Sequence, residues 1–385
     1  MKEQKKSTMD ALWISFSIAA VWFSTHAGGG FATGNQEVNF YVKYGWMSTI
    51  ILPFISMFFV AWTYRNALVL AKDYNVHDYK SFANVLYHPY EKFFSVVFEI
   101  CFLMLMLIAV STSIAGAGSL MQSAMGIPYF IGISGIGAAV FVLTIFGAEL
   151  IIRVLRYKAY FLIVMLTILA YLGLETGADV WKNFIATKET FGADQGEAIW
   201  KAMLYVGFQS FALVSAISVS HRITTTKECN FFGMFGILLN GGFLAVMCLM
   251  LLGFAPGVLK ETLPVYYATQ KMGIAWLKIA YTAILFVALI GTAISFVFTS
   301  VTRFEKQWKG SGVFTSLRVR RLTIAAVTVV LCTCASVFGL TALVVKGYGA
   351  MGYVGLAFVV LPVLTIGTYK INQNAKKRKM QGIEE

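Results

Sequence analysis

The chain of 385 residues is 58% hydrophobic and only 13% charged, with a mean hydropathy of +0.73, too little charge to cover a soluble protein of that length. It is expected to be an all-α integral membrane protein. Its formal net charge of +13 would suit a polyanionic partner, but the basic residues are distributed by side of the membrane, which excludes nucleic acid and leaves the lipid bilayer as the large partner.

Apolar stretches of about twenty residues predict ten transmembrane helices. The first, 11–34, follows the polar start MKEQKKS; no small-residue cleavage site is evident, so this span is expected to be retained. After the second, 45–70, the aromatic and charged segment Tyr74 to Tyr90 suits either a loop or a short amphipathic helix on the inner surface. From Ile100 to Ala148 there is no Asp, Glu, Lys, Arg or His. Such a run is too long for one crossing and splits near Gln122 to Pro128 into helices 92–122 and 128–147. Small residues crowd the third helix at Ala115-Gly116-Ala117-Gly118 and the fourth at Gly132, Gly135, Gly137, Ala138 and Ala139, which suits close helix packing. The fifth helix, 153–173, leads into the longest outer connection, Glu175 to Lys201, where Trp181 to Phe191 is either a surface helix or a loop. The remaining spans are 199–220, 231–254, 276–301, 320–340 and 347–369.

The long connection divides a single transmembrane domain, 1–385, into two five-helix repeats, 11–173 and 199–369. An odd number of helices per repeat gives the halves opposite orientations, a 5+5 inverted repeat. With the N-terminus inside, only Lys43, Lys182, Lys188, Lys201, Lys260, Lys271, Lys278 and Lys346 of the 31 Lys and Arg fall outside. This bias places both termini in the cytoplasm and the protein in the cell membrane. Lys376-Lys377-Arg378-Lys379 is a solvated tail or a contact for anionic lipid. The five cysteines are expected as packing residues without disulfides. Cys332 and Cys334, two apart on a helix, should point to different faces.

The first span contains Ser24-Thr25-His26-Ala27-Gly28-Gly29-Gly30, and three consecutive glycines cost roughly 1 kcal/mol each in a helix interior. Backbone opened at bilayer depth survives only where it faces protein or a water-filled cavity. The sixth span carries a second interruption, Gly207-Phe208-Gln209-Ser210, and paired breaks at corresponding positions of two repeats point to a transporter's binding site. Beyond the first break a helix should restart at Gly29, Gly30 and Phe31 with its free N–H groups toward the membrane centre, ready for an anionic group. Glycine there admits a ligand to close range and tolerates positive φ.

Gly28-Gly29-Gly30-Phe31-Ala32-Thr33-Gly34-Asn35-Gln36-Glu37 resembles the glycine-rich first-helix motif of the YkvI-type membrane proteins, and Leu263-Pro264 with Gly273 fits their connection between helices seven and eight. His26 and the inserted Asn35 depart from that motif. The family is similar to the amino acid–polyamine–organocation superfamily, with the fold of the bacterial leucine transporter. The resemblance implies a substrate carboxylate at Gly28, Gly29 and Gly30, and puts Phe208 and Gln209 in the pocket wall. Relatives coupled to sodium imply an ion between freed carbonyls of helix one and hydroxyls of helix eight, here Thr292 and Ser295, although their adjacent hydroxyl pair reads Thr292-Ala293 in this chain.

Other site residues follow from depth and chemistry. Phe208 would close over an apolar or cationic part of the substrate, and Gln209 or Ser210 would hydrogen-bond its polar group. Ser111, Thr112 and Ser113 on helix three lie at mid-depth with Thr292 and Ser295, where hydroxyls either face a cavity or bond back to the preceding turn. Thr25 and His26 sit at the first break, and His26 can exchange a proton near neutral pH or donate as a neutral ring to a freed carbonyl. Glu99 is a second costly charge, either a proton relay or the partner of an inner Arg or Lys. Asp10 and Arg303 are expected to pair as an inner gate.

These features predict a secondary active transporter for a small amino acid or amine, working by alternating access and coupled to sodium or a proton, with no other cofactor. The alternatives are an organic-cation transporter or a ligand receptor on the same fold. No ATP-binding G-x-x-x-x-G-K-[ST], no H-E-x-x-H and no G-x-S-x-G occurs, so an enzyme is not expected.

Overall fold

The computed structural model describes residues 7–146, 148–308 and 316–381. Lys2, Lys5, Lys6, Lys309 and most of the polar start lie outside them, as do the side chains of Arg153, Arg156, Lys158 and Lys306. Every regular element among the described residues is helical. Helix α1, Thr8–His26, begins in a capping box: the Asp10 N–H donates to Ser7 Oγ and the Ser7 N–H to Asp10 Oδ2, both at 3.2 Å. It stops because Ala27 leaves the helical region (ψ 42°) and Gly28 is extended (φ −77°, ψ −167°). The chain resumes as α2, Gly29–Thr33, turns through a left-handed Gly34 (φ 81°) and continues as α3, Asn35–Phe40. The positive φ expected in the triplet therefore falls at Gly34.

A lead-in turn, Trp46–Ile50, precedes α4, Leu52–Tyr74, with Pro53 in its first turn. The segment with two readings forms α5, Tyr79–Tyr87, capped by Asp78, which accepts from the Lys80 and Ser81 amides at 3.0 and 2.9 Å. Then come α6, Glu91–Met125, closed by left-handed Gly126, α7, Tyr129–Phe146, and α8, Ala148–Thr176. The outer connection holds α9, Ala178–Ala186, bent 71° from the end of α8. Helix α10, Gln195–Ser210, is followed by α11, Leu213–Ser218, and by α12, Thr226–Leu252, whose capping box joins Thr225 and Glu228. Pro264 opens and left-handed Gly273 closes α13, Pro264–Met272, in the expected connection. The chain ends with α14, Ala275–Gln307, α15, Leu317–Ser336, and α16, Leu340–Met380, which widens into π turns at Leu343–Tyr348, Leu356–Val360 and Val363–Gly367.

Among the described residues eight helices, α10 with α11 taken as one, are long and apolar enough to cross a membrane unaided, or nine if α8 with α9 is one bent span; α1, which ends at the break, is not among the eight. The most exposed large side chains include Phe130, Ile131, Phe146, Phe161 and Ile279, each more than 60% exposed, a surface suited to lipid. Inside, Trp22, Phe31, Tyr64, Tyr205, Phe211 and Tyr281 are fully buried. The chain is a multi-pass membrane protein.

Small residues set the closest approaches. A Cβ on Gly132 would lie 3.2 Å from the Gly118 Cα, as the stripes on the third and fourth spans predict, and one on Gly177 only 2.7 Å from the Gly253 Cα. Helices α10 and α16 touch backbone to backbone where Gly207 meets Gly352 and Gly355. Cys332 is buried and Cys334 exposed, as their spacing requires, and no cysteine is in a disulfide among the described residues.

Side chains tie together the two ends of the bundle. At the end holding Thr8, Ser15 Oγ donates to the Glu228 carbonyl (2.9 Å), Arg65 to Asn230 (2.8 Å), and His77 bonds Ser220 (2.9 Å). At the opposite end the Trp46 amide donates to the Glu189 carbonyl (2.9 Å) and Asn35 Nδ2 to the Thr262 carbonyl and Thr341 hydroxyl (2.9 Å each).

Candidate binding site at the helix breaks

A cavity of about 390 Å³ joins the two breaks. Thr25, His26, Gly28, Gly29, Gly30 and Gln36 line it from the first span, and Phe208, Gln209, Phe211, Ala212, Val214, Ser215 and Ser218 from the sixth. Helix α6 adds Phe102, Leu105 and Ala109, α14 adds Thr292, Phe296 and Thr299, and α16 adds Tyr348. Exposed Ser218 and Thr299 carry it toward the Thr8 end. Toward the other end it is shut by rings: Phe208 stands 5.5 Å from Phe40, 4.7 Å from Tyr205 and 4.8 Å from Tyr348, centroid to centroid.

The breaks differ in character. At the first, the Gly28 amide folds back on the His26 carbonyl (2.7 Å), and no side chain caps the restarted α2. Its first-turn N–H groups are left without an intrahelical partner. The second falls at Phe211-Ala212, four residues beyond the expected Gly207, and is a tightening rather than an opening. Both residues keep right-handed dihedrals, and the Ala212 and Ser215 amides bond three residues back at 3.0 Å. Gly207 itself is a packing contact with α16. Two buried tyrosines satisfy carbonyls near the breaks, Tyr64 donating to Gln209 and Tyr281 to Ala32, each at 2.6 Å.

His26 has a partner on each ring nitrogen. Asn240 Nδ2 donates to the Gly236 carbonyl (3.1 Å), so its Oδ1 accepts from His26 Nδ1 (2.9 Å); the network then assigns Nε2 as acceptor of the Tyr205 hydroxyl at 2.7 Å. The ring is a strut between α1, α12 and α10, and bonds side chains rather than a freed carbonyl.

The glycines divide the work. A Cβ on Gly28 would meet only the Thr25 carbonyl, at 3.5 Å, whereas on Gly29 it would lie 2.7 Å from Leu289 Cδ2 and 3.1 Å from Ser113 Oγ, and on Gly30 it would run into Gln36. Gly29 is thus chiefly a packing glycine against α14 and α6.

Several expected site residues stand back from the cavity. Phe31 is buried against His26, 4.7 Å between centroids. Thr112 reaches the cavity only through Tyr348, its hydroxyl 3.2 Å from the phenol, while also bonding back to the Ile108 and Ala109 carbonyls. Ser111 and Ser113 bond back likewise, and Ser210 turns to the Gly207 carbonyl. Thr292 lines the cavity with its hydroxyl on the Ala288 carbonyl (2.8 Å), but Ser295 does not line it. The gate reading also changes. Arg303 pairs with Glu99 and lies over the Tyr79 ring (4.7 Å), while exposed Asp10 serves the α1 cap.

Five wall residues missed in the sequence lie on helical stripes through ones that were chosen. Phe102, Leu105 and Ala109 fall ten, seven and three residues before Thr112, and Phe296 and Thr299 four and seven after Thr292, each set on one face. Tyr348 has no such signal, since it closes the π turn at the head of α16.

No family model and no curated protein matches the chain, so the likeness to the YkvI-type proteins rests on the glycine motif. Solved structures do match it along most of its length. The manganese transporter of Eremococcus coleocola, solved with an aromatic bis-isothiourea substituted compound, superposes with a TM-score of 0.60 at 14% identity, over 94% of this chain and 81% of that one. MhsT in complex with L-phenylalanine gives 0.53 at 14%, over 97% and 99%. Mhp1, a nucleobase-cation-symport-1 family transporter in a closed conformation with bromovinylhydantoin, gives 0.51 at 14%, over 89% and 76%. The chain therefore shares the fold of these transporters.

Proposed function

We propose that the protein is an ion-coupled secondary transporter carrying a small amino acid across the cell membrane by alternating access. The observation that carries this reading is the single cavity bounded by both breaks, open toward the Thr8 end and shut by aromatic rings at the other. Counting broken α1 and bent α8 with the eight unaided spans gives ten, in keeping with a 5+5 inverted repeat whose termini are cytoplasmic; the cavity then opens inward.

The lining favours an amino acid over an amine. Among the described residues that line it there is no Asp, Glu, Lys or Arg, so a simple cation would find no counter-charge. A carboxylate would meet the uncapped amides at Gly29, Gly30 and Phe31. The ammonium would face carbonyls and the Phe208 ring, where cation–π attraction is worth about 2 kcal/mol when desolvated. Phe102, Phe211 and Phe296 suit an apolar side chain.

Proteoliposomes given a labelled amino-acid mixture, with sodium replaced by potassium at fixed pH and then a pH step at fixed sodium, test the reading. Concentrative uptake driven by one of the two gradients supports it. Saturable binding without accumulation would refute transport in favour of a ligand receptor.

A further inference from the structure

Among the described residues two glutamates are fully buried, and their surroundings treat them in opposite ways. At the head of α12, Glu228 Oε2 accepts from the Thr224 and Thr225 amides (2.6 and 2.9 Å) and from the Thr224 hydroxyl (3.3 Å). Glu37, on α3, is equally buried, and neither carboxylate oxygen has a hydrogen-bond partner among the described residues.

The elements packed on α3 are α2, the Val42–Tyr44 turn, α10, α12, the first π turn of α16 and the Gly257–Lys260 turn. The titratable groups in electrostatic range of Glu37 are Tyr41, Tyr205, Cys248 and Tyr281, three phenols and a thiol that offer no positive charge. The charged and phenolic groups on the packed elements are engaged elsewhere or exposed. Lys43 donates to Asn39 (3.2 Å), Tyr44 to Glu197 (3.0 Å), Lys201 pairs with Glu197 (4.0 Å) and the Tyr348 phenol is at Thr112. Lys260 and Lys346 are exposed. An ionised carboxylate with neither donor nor cation is what a low-dielectric interior excludes.

We propose that Glu37 is a neutral carboxylic acid in this conformation and carries the coupling proton of the transport cycle, a role that rests on the transporter reading. A proton fits better than sodium, because a hard cation needs several converging oxygens and Glu37 is surrounded by rings and a thiol. Glu37 stands beyond the break, on the side sealed by Phe40, Tyr205, Phe208 and Tyr348. When that end opens, water reaches the carboxyl: the O–H bond breaks, the electron pair stays on the glutamate oxygen and water takes the proton. Closure over a buried carboxylate is unfavourable, so the site closes only after water on that side has returned a proton.

Infrared spectroscopy of the purified protein at neutral pH reads this directly. The expected result is a carboxylic-acid C=O band in the wild type that shifts when glutamate is labelled with carbon-13 and disappears in Glu37→Gln. No such band in the wild type, or a band that persists in Glu37→Gln, overturns the assignment; the labelled wild type decides the first point even where the variant does not fold. In proteoliposomes supplied with the labelled amino-acid mixture, an acid-outside gradient should accelerate wild-type uptake and leave Glu37→Gln unresponsive. A full response in the variant overturns the coupling role. The band together with no uptake by the wild type under any gradient would refute the transporter reading and keep the neutral carboxyl.

Discussion

Alanine at Gly28 and at Gly29 should separate binding from packing, although the positions are adjacent. Gly28 has an extended backbone open to any residue, and its new methyl would touch only the Thr25 carbonyl at 3.5 Å. Losing glycine at this N-cap costs about 0.5–1 kcal/mol, a shift of a few degrees at most in a chain of this size. Gly28 lines the cavity directly before the α2 amides, so the methyl takes up open space beside them. Blocking hydrogen bonds to a charged ligand group removes about 1.5–3 kcal/mol, roughly 10- to 150-fold in affinity. At Gly29 the methyl would lie 2.7 Å from Leu289 Cδ2 and 3.1 Å from Ser113 Oγ, both buried. Overpacking of about 1–3 kcal/mol there exceeds the gain of at most about 1 kcal/mol from replacing glycine in a helix, so Gly29→Ala should be the less stable protein. Heating each detergent-purified variant and following the folded, monodisperse fraction gives stability; the affinity of the best ligand from an amino-acid screen gives binding. Wild-type affinity in Gly28→Ala, or wild-type stability in Gly29→Ala, would refute the division of labour.

Other outcomes follow from the same contacts. Phe208→Ala should weaken ligand binding by about 1–3 kcal/mol, and titration showing unchanged affinity returns the ring to packing. Glu99 and Arg303, with side chains 23% and 16% exposed, should show a coupling near about 1 kcal/mol, the top of the exposed-pair range; a double-mutant cycle on thermal stability measures it, and an Asp10–Arg303 cycle should be additive. Gly207→Ala should cost more than about 3 kcal/mol, beyond ordinary overpacking, because its methyl meets the Gly352 backbone with no side chain free to move; wild-type yield of folded protein in detergent would contradict that contact.

The sequence by itself determined the class of solvent and the first break. Hydrophobic runs long enough to span a bilayer are a local property, and so is the failure of Ala27-Gly28-Gly29-Gly30 to continue a helix. The small-residue stripes that hold Gly118 and Gly132 and the opposite faces of Cys332 and Cys334 were legible for the same reason. Tertiary structure decided which polar groups meet. Gly207 looked like a break because glycine and polar residues interrupt an apolar run, but it faces the glycines of α16, and the irregular turn falls at Phe211-Ala212. Arg303 was as near Asp10 as Glu99 on a map of membrane depth, and only the packing of α6 against α14 chose Glu99. Glu37 read only as the last residue of the glycine-rich motif. Its isolation appears only when α10, α12 and α16 close around it, because burial and the absence of a partner are properties of the assembled bundle.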